Sequence, residues 1–324
     1  MKGPLYDVTV VEVDSFMAAP SAAAVLADMG AQVVKVEPLH GDPMRGLSRP
    51  IKIESEFQGY DFQFDVDNRG KRSIAVNLNE AEGVAVVRRL IEGADVFLCN
   101  LLPKRQKRFG LDAGTLLELR PGLVHATLTG YGTSGPDAWR PGYDVTAFFG
   151  RSGLYDAMRE GEHGVVPMAR PAQGDHTTGL ALTTAILGAL RLAERTGEGQ
   201  VVETSLYETA VWTQASDFAV TAVDKAPVRR RARKQQLTPM TNRYPCKDNH
   251  WVVLNMLDAG AWERLCRALG REDWLEDERY DTGRNRYRRM PELVDAIDEV
   301  LSARTRDEWG RIFDEHGVIW GPVL

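Results

Sequence analysis

Val8-Thr9-Val10-Val11-Glu12-Val13, then Pro20-Ser21-Ala22-Ala23-Ala24-Val25-Leu26-Ala27-Asp28-Met29-Gly30, then Gln32-Val33-Val34-Lys35-Val36-Glu37 is the stretch that decides the fold. The first segment is a β-branched run and reads as a strand. Pro20 stands where a first helical turn tolerates proline, Ser21 to Met29 is alanine-rich, and Gly30 sits where a helix end favours a left-handed residue. Gln32 to Glu37 is a second strand, which completes one βαβ unit. The alternation continues: Ser73–Leu78 (strand), Glu80–Glu92 (helix), Ala94–Cys99 (strand), Ala113–Leu119 (helix) and Leu123–Leu128 (strand). Strands that alternate with helices predict a largely parallel sheet covered on both faces, so residues 1 to about 205 read as a doubly wound α/β domain.

Thr177–Ala193 and Leu206–Val223 extend this region as helices, with Val201–Thr204 a short strand between them. The chain then changes character. Lys225–Thr241 carries two prolines and the run Arg229-Arg230-Arg231-Ala232-Arg233-Lys234, and reads as an exposed, solvated linker. Trp251–Leu254 (strand) and the amphipathic stretches Gly260–Leu269, Pro291–Leu301 and Thr305–His316 predict a smaller α+β domain. The expected organisation is a large domain over 1–224, a linker over 225–241 and a small domain over 242–324. The apolar end Val318-Ile319-Trp320-Gly321-Pro322-Val323-Leu324 calls for docking as a terminal strand or for a further portion of chain.

Composition narrows the function. At 324 residues, 43% hydrophobic and 27% charged, the chain is ordinary for a globular protein, which excludes collagen, coiled coil and disorder. The longest apolar stretch, 179–190, is far below the ~20 residues of a membrane span. No secretion signal opens the chain, and three scattered cysteines (Cys99, Cys246, Cys266) fit a reducing cytoplasm better than a disulfide or zinc framework. The net charge of −6 gives nucleic-acid binding no bulk electrostatic support.

Gly130-Tyr131-Gly132-Thr133-Ser134-Gly135 has the spacing of a dinucleotide fingerprint, but Pro136 and Pro141 follow where a helix is required, so it reads as a loop. Two basic clusters flank strands: Asn68-Arg69-Gly70-Lys71-Arg72 and Lys104-Arg105-Gln106-Lys107-Arg108. Each alone is a solvated face; together they tilt toward a ligand with several phosphates. Asp175 precedes a strongly helical stretch. Its plain role is the N-cap, and its alternative role is a carboxylate nucleophile kept ionised by the helix dipole. Serine and thiol hydrolase readings lack a nucleophile motif.

Together these segments resemble the class III CoA-transferases, the family of formyl-CoA and carnitine CoA-transferases and the related α-methylacyl-CoA racemases. The resemblance is carried by Ala27-Asp28-Met29-Gly30-Ala31, Val34-Lys35-Val36-Glu37, Gly41-Asp42-Pro43, Asn68-Arg69-Gly70-Lys71-Arg72-Ser73-Ile74 and Ala94-Asp95-Val96. It continues in Gly130-Tyr131-Gly132 with Gly135-Pro136, in Arg140-Pro141-Gly142-Tyr143-Asp144, in Gly174-Asp175, and in Thr196-Gly197-Glu198-Gly199-Gln200 with Ser205-Leu206. The resemblance implies a Rossmann-like large domain, a small domain and an interlocked homodimer. It implies a cytoplasmic enzyme that moves CoA from an acyl-CoA to a small carboxylic acid, with Asp175 as nucleophile and no prosthetic group, metal, membrane or nucleic acid involved. By position, Phe16, Met17 and Ala18 would line the CoA site and Lys71 and Arg72 would face its phosphates. Asn100, Leu101 and Arg108 would contact CoA, and Tyr143 would lie near the thioester.

Four departures qualify the match. Pro38 replaces an arginine common in the family. Met17 replaces the glutamine of formyl-CoA transferase. That enzyme's glycine-rich lid is absent, with Leu237-Thr238-Pro239-Met240-Thr241 in its place, and members continue past Gly321-Pro322-Val323 with a segment returning to the large domain. The alternative readings are an acyl-CoA racemase, whose histidine position is Tyr143 here, a residue type that is a poor base at neutral pH, and a CoA-binding homologue without turnover.

Overall fold

The computed structural model describes residues 2–47 and 60–324. It falls into two compact units, one of residues 1–157 with 167–227 and one of 158–166 with 228–324.

The first unit runs β1 (Thr9–Val13), α1 (Ala18–Asp28), β2 (Gln32–Glu37), α2 (Phe62–Asn68), β3 (Arg72–Ala75), α3 (Ala81–Glu92), β4 (Val96–Cys99), α4 (Pro103–Phe109), α5 (Ala113–Leu119) and β5 (Val124–Thr129). It continues with a π-helical turn over Asp144–Arg151, α6 (Leu154–Ala157), α7 (Gln173–Thr196), β6 (Val201–Ser205), α8 (Leu206–Thr213) and α9 (Ala215–Asp224). The strands form one parallel sheet in the order β3-β2-β1-β4-β5-β6. The parallel, helix-flanked sheet expected from the alternation is therefore present. Its strand order reverses between β1 and β4, and in such sheets the crevice at the carboxyl ends of the two strands that part there is where ligands bind.

Alternation along each strand builds two cores. Val10, Val33, Val96, Leu98 and Ala126 face α1 and α7, while Val11, Val13, Val36, Phe97 and Cys99 face Val87, Ile91, Phe109 and Leu116 of α3 to α5. The alanines of α1 allow α7 to come close. At Gly179 of α7 a Cβ would fall inside van der Waals contact of Ser21 Oγ and 2.9 Å from the Ala18 carbonyl oxygen.

The stretch 206–223 is two helices rather than one, interrupted at Gln214. Gln214 instead donates through Nε2 to Ser152 Oγ at 3.1 Å. The helix expected from Thr177 starts earlier, at Gln173, with the left-handed Ala172 (φ 80°) before it. Among the described residues no helix is long and apolar enough to cross a membrane.

The second unit carries β7 (Thr241–Pro245), β8 (Trp251–Asn255), α10 (Ala261–Leu269), α11 (Asp273–Glu276), α12 (Gly283–Arg288), α13 (Met290–Leu301), α14 (Arg306–Glu315) and β9 (Trp320–Val323). β7, β8 and β9 form an antiparallel sheet around a core that includes Tyr244, Leu254, Leu265, Leu293 and Phe313. The apolar end of the chain is thus a paired strand, and Trp320 Nε1 donates to Asp314 Oδ1 at 2.8 Å. Part of the basic run is not a solvated loop. Arg233 makes a bidentate pair with Asp298 (2.7 and 2.6 Å), and Lys234 pairs with Asp295 at 2.5 Å, because α13 presents both carboxylates to them.

Gly179→Ala should therefore destabilise the first unit by about 1–3 kcal/mol, the cost of an extra methyl in a filled contact, outweighing alanine's helix preference. Urea denaturation followed by far-UV circular dichroism would read this as a lower midpoint; an unchanged or higher midpoint would contradict the close α1–α7 contact.

Candidate active site

Every strand of the parallel sheet is followed by residues that line one of two adjoining pockets of about 500 and 430 Å³. The first takes its walls from Ser15–Ala18 after β1, Asn100–Leu102 after β4, Gly130 after β5, Tyr143–Val145 and Leu206, and includes Asp175. The second lies beside Pro38–His40 after β2 and Val76–Asn79 after β3. Ser15, Asn100, Leu101 and Arg105 border both, at the reversal of strand order.

The loop after β1 is held in an unusual shape. Phe16 has a φ of 66°, a left-handed conformation that a bulky residue adopts only when its surroundings hold it there. Its N–H donates to Asp42 Oδ1 at 3.2 Å, which also accepts the Met44 N–H at 2.9 Å. Asp42 is itself anchored by Lys35 of β2. That ammonium is 1% exposed and lies 3.1 Å from Asp42, 2.8 Å from Asp14 and 3.8 Å from Glu12. Burial works against its charge, but the three carboxylates more than compensate and hold it protonated. Burial, aided by Asp14, pushes Glu12 up to about 8 against the pull of Lys71 and Lys35. On the other side of the crevice, Asn100 Nδ2 donates to the Ser15 carbonyl at 2.7 Å and ties the end of β4 to the same loop.

Asp175 lies in the first turn of α7 and lines the first pocket. It is not an N-cap: the helix has already begun, and the Thr177 and Thr178 hydroxyls donate to the Gln173 and Gly174 carbonyls at 2.7 Å each. Among the described residues nothing donates a hydrogen bond to its carboxylate. Burial, with the nearby charges of Asp144 and Asp67 adding and His176 opposing, pushes it up to about 7. Asp144 is 3% exposed, accepts the Val145 N–H at 2.7 Å through Oδ1, and leaves Oδ2 without a hydrogen-bond partner. Gly174 permits this closeness, since a Cβ there would meet Phe148 Cγ at 2.6 Å and Asp144 Cβ at 2.9 Å.

His176, adjacent in sequence, turns away and bonds the buried Asp67 through Nε2 at 2.9 Å, which raises its pKa. Glu37 shows the opposite electrostatic outcome to Asp175. Burial opposes its charge too, but the Arg45 guanidinium bonds it twice at 2.7 Å and, with the Asp42 N–H, holds it down at about 2.

Of the residues singled out by sequence, Phe16, Met17, Ala18, Asn100, Leu101, Tyr143 and Asp175 converge on the first pocket. Tyr143 packs edge-on against Phe16, with ring centroids 5.3 Å apart. Lys71, Arg72 and Arg108 line neither pocket. Lys71 and Arg72 stand at the amino end of β3, the wrong end of a parallel sheet for a ligand. The Lys71 ammonium is turned inward, 2.8 Å from Glu12 and from the Pro20 carbonyl oxygen, and Arg72 bonds Gln32 Oε1 at 2.9 Å. Arg108 is exposed and donates to Asn79 Oδ1 at 3.0 Å. The phosphate-facing role expected of Lys71 thus has no support in its position. Within the second basic cluster the sequence points to Arg108, whereas Arg105, one turn earlier on α4, is the member that lines the crevice; helical periodicity from the end of β4 is the signal that separates them.

The family model of CoA-transferase family III matches residues 5–324. The chain is 36% identical to a cinnamoyl-CoA:phenyllactate CoA-transferase of Clostridium sporogenes, over 94% of this chain and 74% of that protein. It is 32% identical to an (R)-2-hydroxy-4-methylpentanoate CoA-transferase of Clostridioides difficile, over 96% of this chain and 77% of the relative. A crystal structure of a CaiB/BaiF family protein from Brucella suis superposes with a TM-score of 0.87 at 29% identity, covering 100% of this chain and 85% of that one. A sheet with its crevice at the β1/β4 reversal, a carboxyl poised in that crevice and these likenesses together make the chain a member of CoA-transferase family III.

Proposed function

We propose that the protein transfers CoA from an acyl-CoA to a carboxylic acid, with Asp175 as the covalent nucleophile. The observation that carries this reading is the Asp175 carboxyl: it lines the pocket, lacks a hydrogen-bond partner among the described residues, and is pushed up to about 7. A carboxylate bound to several donors is a poor nucleophile, whereas a desolvated one held in line can attack a thioester. The chemistry balances in four steps. Asp175 Oδ attacks the thioester carbonyl and expels CoA thiolate, giving a mixed anhydride. The thiolate attacks the aspartyl carbonyl, releasing the donor acid and leaving an aspartyl-CoA thioester. The acceptor carboxylate attacks that carbonyl and again expels thiolate, forming a second anhydride. The thiolate then attacks the acceptor's acyl carbon, which gives the new acyl-CoA and frees Asp175.

In this reading Phe16, Met17, Ala18, Asn100 and Leu101 border the CoA arm, Tyr143 stands beside the thioester, residues 1–224 carry the CoA site, and 242–324 form a separate small domain. An interlocked homodimer is part of the proposal. It is supported by α9, which buries none of its residues in the single chain, and by Trp212 and Val223, 77% and 80% exposed. Sedimentation velocity at micromolar concentration should give a dimer that Val223→Glu with Trp212→Glu weakens; a wild-type monomer would contradict it.

The deciding assay is mass spectrometry in deuterated water with a panel of acyl-CoAs, including a 2-methylacyl-CoA, and a panel of carboxylic acids. New CoA thioesters are expected, with a loss of roughly 10³-fold or more in Asp175→Ala. Deuterium at the α-carbon without new thioesters would replace transfer by racemisation.

The raised pKa gives two further expectations. Because the anion attacks, kcat/KM should fall as pH drops through about 7. Stability moves the other way. The folded state penalises the anion, so the stability kept while Asp175 is protonated is lost as pH rises through about 7. Asp175→Asn should match wild type near pH 4 and exceed it by about 1–3 kcal/mol at pH 8 in denaturant melts; equal stability at both pH values would show that the carboxyl is not penalised.

A further inference from the structure

The basic run at 229–234 divides into cations that hold structure and cations that do not. Arg233 and Lys234 belong to the first kind: they pair with Asp298 and Asp295 of α13, and Asn242 Nδ2 donates to the Arg233 carbonyl at 3.0 Å. Two glutamines hold the adjoining backbone. Gln236 Nε2 donates to the Arg231 carbonyl at 3.3 Å, and Gln235 Oε1 accepts the Ala232 N–H at 3.2 Å. Fixed in this way, the run forms one wall of a cavity of about 270 Å³ that lies wholly within the second unit. The facing wall is the end of α12 and the start of α13. Arg229, Arg231 and Lys234 line the first wall and Arg288 the second, and no aspartate or glutamate is among the described lining residues. The guanidiniums of Arg229, Arg231 and Arg288 have no carboxylate partner among the described residues.

Like charges around one small space repel one another unless an anion joins them, and a cleft walled by one sign of charge focuses its potential inward. In a chain of net charge −6, three unmatched guanidiniums on two facing walls set this place apart. Guanidinium forks match phosphate oxygens two at a time, so groups on opposite walls suit two linked phosphates better than one. The cavity is smaller than the roughly 300 Å³ at which pockets for larger organic ligands begin, so it does not enclose a whole nucleotide. The positive end of α13 begins at Met290 and Pro291 on the same wall and acts in the same sense. Tyr287, 49% exposed, borders the opening and offers a flat face to a group carried on the phosphates. We propose that this cavity is a diphosphate-binding site, gripped by Arg229 and Arg231 from one side and Arg288 from the other. It shares no lining residue with either pocket of the first unit, and it stands whether or not the CoA-transfer reading does.

Calorimetric titration of the full chain, with and without excess CoA, tests the site with inorganic diphosphate, uridine diphosphate, orthophosphate and sulfate as probes. Inorganic diphosphate should bind once per chain, about 10-fold or more tighter than orthophosphate or sulfate, and CoA should not displace it. Uridine diphosphate bound more tightly than inorganic diphosphate would assign the site to an ester; weaker binding would assign it to the free anion. Arg229→Gln and Arg288→Gln, one from each wall, should each weaken diphosphate about 10-fold, and Arg229→Lys should recover part of the loss. Without the anion neither glutamine variant should melt below wild type, because each removes one charge from a set that repels itself. No diphosphate binding, equal affinity for diphosphate and sulfate, or unchanged binding in both variants would overturn the inference and leave the CoA reading intact. Displacement by CoA would overturn it as well, since the cavity would then belong to CoA binding.

Discussion

The contact between α1 and α7 is the constraint on which the site depends. Gly179 lies against Ser21 and the Ala18 carbonyl without room for a side chain, so the two helices are locked in register at that point. Ala18 begins α1 and directly follows the pocket loop, while Asp175 lies one turn upstream of Gly179 on α7. Fixing Gly179 against Ala18 therefore fixes the carboxyl near Phe16 and Met17. A second contact seats the other side of the helix start, where Gly174 meets Phe148 and Asp144. The Asp175 carboxyl is thus positioned by tight packing on both sides, and not by hydrogen bonds to its own oxygens. That leaves those oxygens available.

Charge is distributed by the same logic. Five buried or half-buried carboxyls lie in or beside the crevice, and they fall into two kinds. Glu37 and Asp14 are matched to Arg45 and Lys35, as is Asp42, whose second oxygen holds the loop. Asp144 and Asp175 have no matched cation among the described residues, and after burial itself Asp144 raises the cost of ionising Asp175. The consequence is a separation of about 2 for Glu37 against about 7 for Asp175 within one fold. Breaking a buried pair by removing one partner typically costs about 3–5 kcal/mol, so the Lys35 cluster is a stiff support for Phe16 in its strained conformation.

The sheet was legible because β-branched runs, an alanine-rich helix and capping glycines repeat in order. The strand order was not, since nothing local records which strands become neighbours. Lys71 and Arg72 illustrate that gap. They adjoin a strand, but only the direction of the parallel sheet tells that they adjoin its amino end, and only the packing shows Lys71 turned toward Glu12. Asp175 is identifiable as a candidate, with capping as the rival role; the rival fails because the helix starts two residues earlier, at Gln173, with the His176 N–H already bonded to the Ala172 carbonyl at 2.8 Å. Arg105 was hidden inside a basic run whose members look alike in sequence and differ only in azimuth around α4. The described part of the second unit was partly legible: α10, α13, α14 and β8 show clear patterns, whereas β7 contains Pro245 and polar residues, and its strand character comes from pairing with β8.

A carboxyl pushed up to about 7 suits the proposed anhydride chemistry better than one at its ordinary value. Nucleophilicity rises with basicity, so lifting the pKa by burial makes the anion more reactive toward a thioester carbonyl. The same lift reduces the fraction ionised, but only modestly: at pH 7.5 roughly three quarters of a group of pKa 7 is still anionic. A fully dehydrated carboxylate would lose that balance, because burial alone can raise a carboxyl by several units. Two features oppose such an excess. Asp175 is only half-buried, and it sits in the first turn of a 24-residue helix whose positive end favours the anion. His176, drawn toward Asp67 and held more basic by it, adds a further pull in the same direction. In the proposed reaction burial and Asp144 set the reactivity, the helix and His176 limit the penalty, and the carboxyl rests where both the anion and its basicity are available near neutral pH.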